Sequence, residues 1–502
     1  MFNEPAWILK RVSLSPNRTA LVDVHTNVSW TYTMLKDRIL HWASFITTNG
    51  IKKGERIAVI APNQPELFAV LFACELTGVI YVPLNWRLSK FEIVSLLTDC
   101  SPSLLLYDDI YFSLIDEIDL EQVISIQSIR SIGTIEAVET MSLIREVTNI
   151  EQQESSTPWM MIYTGGTTGK PKGVVLSTYA VNSNAINTIL SWGLTEEDTT
   201  INYMPLFHTG GLNALSIPIL MAGGQVVIGN RFDAEEAMRA TDHYKATVSL
   251  FVPTMYQSMI NMPYFNETAF LSMKVFLSGG APCPETIYNK FYTKGHNFKE
   301  GYGLTEAGPN NFFIRPEVAY RKIGSVGKPM LFNSVKVLNP MGNRCGVNEV
   351  GELYLKGPHV FSSYWKKPDD TLDAFRDGWL RTGDLAKYDE DGDHYIVGRK
   401  KDIIISGGEN VYPQEIEQCL TNFQEINEAA VVAKKDEKWG ESIIAFVTAA
   451  EGYAFNREKV IEHCKKFLGG YKIPKEIIVL PEIPKTDIGK IDKNALQHYV
   501  IK

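Results

Sequence analysis

Cysteine is scarce: six in 502 residues, at positions Cys74, Cys100, Cys283, Cys345, Cys419 and Cys464. No two form a CxxC pair, and so few in so long a chain exclude a disulfide framework. No histidine pattern beside any of them marks a nucleophile, so the expectation is inert thiols in a reducing cytoplasm. Positive charge is in deficit, with 49 Lys and Arg against 58 Asp and Glu and a net charge of -9. That argues against a broad basic face and so against nucleic acid as a partner, while leaving room for a polyanion in a local pocket. Long apolar runs are missing as well. The stretch Leu67 to Val82 is broken by Glu75 and Gly78 and is too short to span a bilayer. Met1-Phe2-Asn3-Glu4-Pro5 lacks the basic-then-apolar order of a signal peptide, so a soluble cytoplasmic protein is expected. Solenoid repeats and low-complexity tracts are absent too.

What is present is the balance of a globular protein, 45% hydrophobic and 21% charged. A chain of this length exceeds one ordinary core, so two or more domains are expected. Apolar runs alternate with amphipathic segments. Residues 56–62 read as a strand, 66–78 as a helix and 79–84 as a strand, and the rhythm returns at 247–252 and 273–277. Such alternation predicts α/β layers with parallel strands. Residues 351–355 and 394–397 read as strands of a hairpin-rich, antiparallel region. After Arg399-Lys400-Lys401-Asp402 a fresh set begins: strand 402–406, helix 413–421, strands 429–433 and 442–448, helix 457–467. These last hundred residues predict a small α+β domain.

The strongest motif is Tyr163-Thr164-Gly165-Gly166-Thr167-Thr168-Gly169-Lys170-Pro171-Lys172-Gly173, directly after the apolar run Trp159 to Ile162. Glycines let backbone N–H groups approach an anion, threonines add hydroxyls and lysines add charge, a set suited to a triphosphate. The pattern GxxxxGK[ST] cannot be laid over it, so it is no Walker loop. A second motif, Gly301-Tyr302-Gly303-Leu304-Thr305-Glu306, offers a carboxylate for Mg²⁺ with phosphates completing its shell, and a flat ring for a base or an acyl group. A third, Trp379 to Leu385 with Arg399 and Ser406 to Asn410, contains Asp384, a carboxylate of the kind that anchors ribose hydroxyls, and a guanidinium for phosphate. A fourth, Pro484 to Asp492, holds Lys490 in a glycine-containing loop.

Together these segments resemble the adenylate-forming superfamily of acyl-CoA synthetases, peptide-synthetase adenylation domains and luciferases, from about Ala20 to Asp492. Within it the chain is most similar to the acyl- and aryl-CoA ligases. The resemblance implies an α/β N-terminal domain, about 1–401, with two mixed sheets between helices and a distorted barrel, and a mobile α+β C-terminal domain, 403–502, hinged at Asp402. It implies that Thr164, Gly165, Gly166, Thr167, Thr168, Gly169, Lys170 and Lys172 clasp the β,γ-phosphates. Thr305 then meets the α-phosphate, Glu306 holds Mg²⁺, and Gly280, Ala281, Pro282, Tyr302 and Gly303 border the adenine. Asp384 takes the ribose, Arg399 lies near ribose and phosphate, and Lys490 bridges carboxylate and α-phosphate. Gly407 and Gly408 line a pantetheine tunnel, with Arg87, Trp439 and Lys472 as contacts for the coenzyme A nucleotide. His208, Phe251, Gly279, Gly303, Pro309 and Asn310 form an apolar acyl pocket.

The implied partners are ATP, Mg²⁺, coenzyme A and a carboxylic acid of medium-to-long aliphatic or aromatic type, with a homodimer left open. Pro205 to Gly211 contains no acidic residue to pair an ammonium, which disfavours amino acids. Arg315 and Lys322 would matter for a diacid, though nothing in the sequence places them in the pocket. Loading of a carrier-protein thiol is the alternative. A non-catalytic nucleotide binder is disfavoured because every chemical position is filled, and a luciferase-like oxygenase shares the same motifs.

Overall fold

The computed structural model describes residues 6–118, 125–134, 154–164, 171–406, 408–436, 439–450, 452–453, 455–486 and 489–501. Among these, four sheets are formed. One places the parallel strands Phe298–Glu300, Val275–Ser278, Val248–Phe251, Thr199–Asn202, Gln225–Ile228 and Thr19–Asp23 side by side, with Ser29–Thr31 antiparallel at its edge. A second joins Ser128–Ser131, Leu104–Tyr107, Arg56–Ile60, Ile80–Pro83 and Pro158–Thr164 in parallel. It then turns antiparallel through Lys172–Ser177 and Ser363–Tyr364. The antiparallel region from Phe312 to Arg399 forms a third sheet.

Helices fill the space between layers. The helix Glu66–Thr77 is buried at every position, as an almost uniformly apolar helix must be. Gly78 stops it with φ 69°, the left-handed value glycine tolerates. Two carboxylates lie inside this helix. Glu66 is held by Arg38 at 2.7 Å and by the Trp42 indole N–H.

Glu75 is only 3% exposed, and burial pushes its carboxyl up to about 8 although the Ala6 backbone and the Asn182 amide draw it down. The folded protein therefore keeps a proton that the unfolded chain gives up near the ordinary value of 4.5. Stability from this group falls as pH rises between those two values and is level above them, a loss on the order of 3 kcal/mol at pH 7. Glu75→Gln should remove that slope. The thermal midpoint of the variant is expected to pull above the parent's by a few degrees between pH 5 and pH 8. Parallel curves across that range would show that Glu75 does not titrate there.

The last part of the chain has its own sheet, Glu409–Val411, Ile404–Ser406, Gly440–Ala449 and Ile426–Asp436, with Glu476–Val479 parallel to Gly440–Ala449. It packs with helices Pro413–Thr421 and Arg457–Phe467 around a separate core. The chain reaches this sheet through one tight turn, Lys400–Asp402. All six cysteines are free and buried. Among the described residues no helix is long and apolar enough to cross a membrane.

Candidate active site

A cavity of about 940 Å³ opens where the parallel strands of the first sheet end at their carboxyl sides, the usual place for a ligand in an α/β layer. Val252, Gly279 and Gly301 each follow such a strand and line it.

The strands that flank the glycine-rich motif, Pro158–Thr164 and Lys172–Ser177, pair antiparallel, with Thr164 opposite Lys172 in the last register position. Residues 165–170, and with them the expected phosphate contacts of Gly165, Gly166, Thr167, Thr168, Gly169 and Lys170, lie outside the described residues. The described residues on either side of them, Thr164, Pro171 and Lys172, line the cavity. The Lys172 ammonium pairs with Asp370 at 2.7 Å and sits 5.0 Å from the Tyr364 ring. The Tyr364 hydroxyl in turn donates to Glu306 at 2.9 Å.

Glu306 faces the cavity in the short turn Thr305–Ala307, beside buried Thr305. Burial raises its carboxyl above the ordinary range, which marks an anion short of countercharge. A hard oxygen ligand with hydroxyls beside it and an open cavity in front suits Mg²⁺ completed by phosphate oxygens. Among the described residues another acidic group, Asp389, Asp391 and Asp393, is closed by Lys322 at 2.6–2.7 Å. Lys322 is therefore a structural clamp away from the cavity, and Arg315 pairs at the surface with Glu317.

Gly303 is required by packing: a Cβ there would overlap the backbone of Pro309, because the 303–309 turn closes on itself. Asp384 and Arg399 are register partners on adjacent strands, 3.1 Å apart. The Tyr302 hydroxyl donates to the second Asp384 oxygen at 2.6 Å. Burial raises the Asp384 carboxyl and Arg399 lowers it in part. Arg399 and Thr382 reach the cavity wall. Tyr302 and Asp384, expected against adenine and ribose, stand behind that wall and are tied to each other.

Lys490 arrives from the C-terminal sheet's side. Its loop is anchored by the Thr254 hydroxyl on the Gly489 carbonyl at 3.2 Å. Gly280, with φ 81°, lies under the lysine, whose Cε would stand 3.3 Å from a Cβ placed there. Burial and the nearby Arg399 lower the Lys490 pKa, and Asp384 opposes them. His208 caps the short helix Thr209–Leu212, its Nδ1 accepting from Gly210 N–H at 3.1 Å. Burial, then Lys490, drops its pKa to about 3, so the imidazole is neutral with its proton on Nε2.

Gly280, Ala281, Pro282, Gly279, Pro309 and Asn310 line the cavity as well. Phe251 does not, and this corrects the expected acyl pocket. Strand residues alternate in direction, so Leu250 and Val252 face the cavity while Phe251, fully buried, packs among Phe232, Tyr203 and Tyr256.

The expected coenzyme A contacts are not brought to the cavity in this arrangement. Arg87 lies over Trp86 at 4.7 Å, Lys472 is held by both Glu415 oxygens at 2.7 Å, and Trp439 lies under Lys475 at 5.1 Å. Gly407 is outside the described residues. Gly408 has φ 84° and open space around it, so conformation rather than crowding explains its glycine. The sequence reading missed Tyr364, Asp370 and Thr254. They lie far along the chain from the motifs they support, and no local pattern announces them.

The AMP-binding enzyme family matches residues 9–365, and the C-terminal domain of AMP-binding enzymes matches residues 415–490. An indoleacetate–CoA ligase of Aromatoleum aromaticum is 34% identical over 500 residues, covering 99% of this chain and 98% of that protein. The long-chain-fatty-acid–CoA ligase FadD13 of Mycobacterium tuberculosis is 32% identical over 493 residues, 98% and 97% of the two chains. The solved structure of o-succinylbenzoate coenzyme A synthetase (MenE) from Bacillus subtilis, in complex with ATP and magnesium ion, superposes with a TM-score of 0.86 at 30% identity over 98% of this chain and 99% of that one.

Proposed function

The chain belongs to the AMP-binding enzyme family, and on that premise we propose that it joins an acid with an uncharged tail, aromatic or medium-to-long aliphatic, to coenzyme A. The coarser activity is that of an AMP-forming acid–CoA ligase using ATP, magnesium and coenzyme A. The observation behind the finer reading is one cavity with two characters. Its lining combines the charged Lys490, Arg399, Lys172 and Glu306 with the apolar Met204, Leu250, Val252 and Pro309.

A carboxylate is a poor electrophile, so it first displaces pyrophosphate from ATP to become a mixed anhydride with AMP, which a thiol then opens. Two anions must meet in the first step. On our reading the Lys490 ammonium lies between carboxylate and α-phosphate, where charge builds in the transition state. Thr164, Thr305 and Lys172 hold the phosphates, and the Asp384–Arg399 pair orders the ribose side. Neutral His208 forms part of the wall next to the carboxylate. Glu306 would hold Mg²⁺, which when bound neutralises the leaving pyrophosphate.

Pyrophosphate release over a panel of acids, with and without coenzyme A, tests this reading. Aliphatic and aryl acids should give pyrophosphate and, with coenzyme A, the thioester. Amino acids should be at least about a hundredfold slower, since Pro205 to Gly211 offers no carboxylate to a buried ammonium. Amino acids matching the others in rate would overturn the proposal. Glu306→Gln keeps volume and removes charge from the metal ligand. It should raise the magnesium concentration for half-maximal adenylation by at least about tenfold, as losing even an outer partner of a metal does. An unchanged magnesium titration would show that Glu306 is no ligand.

A further inference from the structure

The geometry points to Asn310 as a specificity residue: we propose that the acid carries a neutral hydrogen-bond donor, a phenolic O–H or a ring N–H, remote from its carboxylate, and that Asn310 Oδ1 accepts it. This deepens the ligase reading and rests on it. Asn310 lines the cavity and is 3% exposed. Its amide nitrogen donates to the Ala214 carbonyl at 2.8 Å and to Thr188 Oγ1 at 3.0 Å. A carbonyl oxygen can only accept, so the amide cannot be turned over. Thr188 spends its own hydroxyl proton on the Asn184 carbonyl at 2.8 Å, so its oxygen must accept from Asn310. Both Nδ2 protons are therefore used. Oδ1 keeps its lone pairs, and among the described residues nothing donates to it.

Neighbouring buried amides are treated differently. Oδ1 of Asn63 accepts from Leu206 N–H, Oδ1 of Asn202 from Met204 N–H, and Oδ1 of Asn187 from Phe332 N–H. Asn184 and Asn213 also lack a donor at Oδ1, but neither lines the cavity. Unlike theirs, the Asn310 Oδ1 is not sealed off, so it is an oriented acceptor without a donor among the described residues that a ligand in the cavity can reach. A bound acid that shuts this oxygen off from water without donating to it incurs a penalty, and an acid that carries a donor avoids it. The oxygen has no net charge, which favours a neutral donor over an ammonium. Ala214, Pro309 and Leu250 are apolar members of the same cavity lining, and Gly279, where a Cβ would meet nothing nearer than 3.6 Å, leaves room for a flat ring.

The test is kcat/KM for matched acids: 4-hydroxycinnamate against cinnamate and 4-methoxycinnamate, indole-3-acetate against 1-methylindole-3-acetate, and octanoate as an aliphatic reference. The parent enzyme should favour the donor-bearing member of at least one pair by about tenfold or more, the weight of one hydrogen bond to a buried acceptor. The pair that responds distinguishes phenol from ring N–H. In Asn310→Leu and Asn310→Ala the ratio should fall toward one, a change that loss of packing alone would not produce. Equal rates within every pair in the parent, or a ratio preserved in the variants, would overturn the inference while leaving the ligase reading intact. If neither variant folds, the parent's ratios decide. No pyrophosphate from any acid would overturn both readings.

Discussion

Lys490→Ala should slow pyrophosphate release by about a hundred- to a thousandfold, the usual consequence of removing one charge contact aimed at a transition state. The same variant should still convert a synthetic acyl-adenylate and coenzyme A to the thioester at close to the parent rate. The asymmetry follows from where the side chain lies. It passes over Gly280, next to neutral His208, and belongs to a loop held by Thr254. From there the ammonium serves the approach of two anions, whereas thiol attack on a neutral acyl carbon has no such approach to assist. Single-turnover measurement of each half-reaction separates the two. An equal fall in both would mean that Lys490 has another part to play.

Asp402→Pro should leave the first half-reaction within a fewfold of the parent and reduce acyl-CoA formation to a small fraction of it. Asp402 ends the turn Lys400–Asp402, the single crossing from the third sheet to the C-terminal one. Backbone in such a turn has φ near −60°, a value proline holds, so the observed arrangement with Lys490 in the cavity survives. Proline also biases Lys401 away from helical values, which accounts for a modest slowing of the first step. Our proposal that the C-terminal part swings about Asp402 requires φ and ψ there to change between the half-reactions. A locked φ should then strand the acyl-adenylate: one equivalent of pyrophosphate per active site, followed by a stall. Parent-rate thioester formation would place the pivot elsewhere.

Segments with strong periodicity and clear ends were readable in the sequence. The helices Pro413–Thr421 and Arg457–Phe467 have the bounds that proline and polar starts suggest. The expected strand at residues 429–433 is longer, Ile426–Asp436, because pairing with Gly440–Ala449 extends it into polar residues. The antiparallel return strand Lys172–Ser177 was hidden by the glycine-rich sequence before it. The motif residues Glu306, Arg399, Lys172 and Lys490 meet at one cavity, but their partners did not show. Tyr364 reaches Glu306 across 58 positions and Asp370 reaches Lys172 across 198. The error at Phe251 is one of phase: a run such as Val248 to Val252, with large apolar residues on both sides of its strand, gives no hint of which face looks into a cavity.

The position of Lys490 also bears on the order of events. Burial and Arg399 both disfavour its charged form. Asp384 offsets this in part, and a bound carboxylate and triphosphate would favour the ammonium in the cavity further. Occupancy and docking are linked, each favouring the other by the same factor. On this view premature closure is suppressed without a dedicated sensor. On our proposal that the C-terminal part swings about Asp402, departure of pyrophosphate would withdraw most of the negative charge, so the by-product of the first reaction would act as the clock for the second.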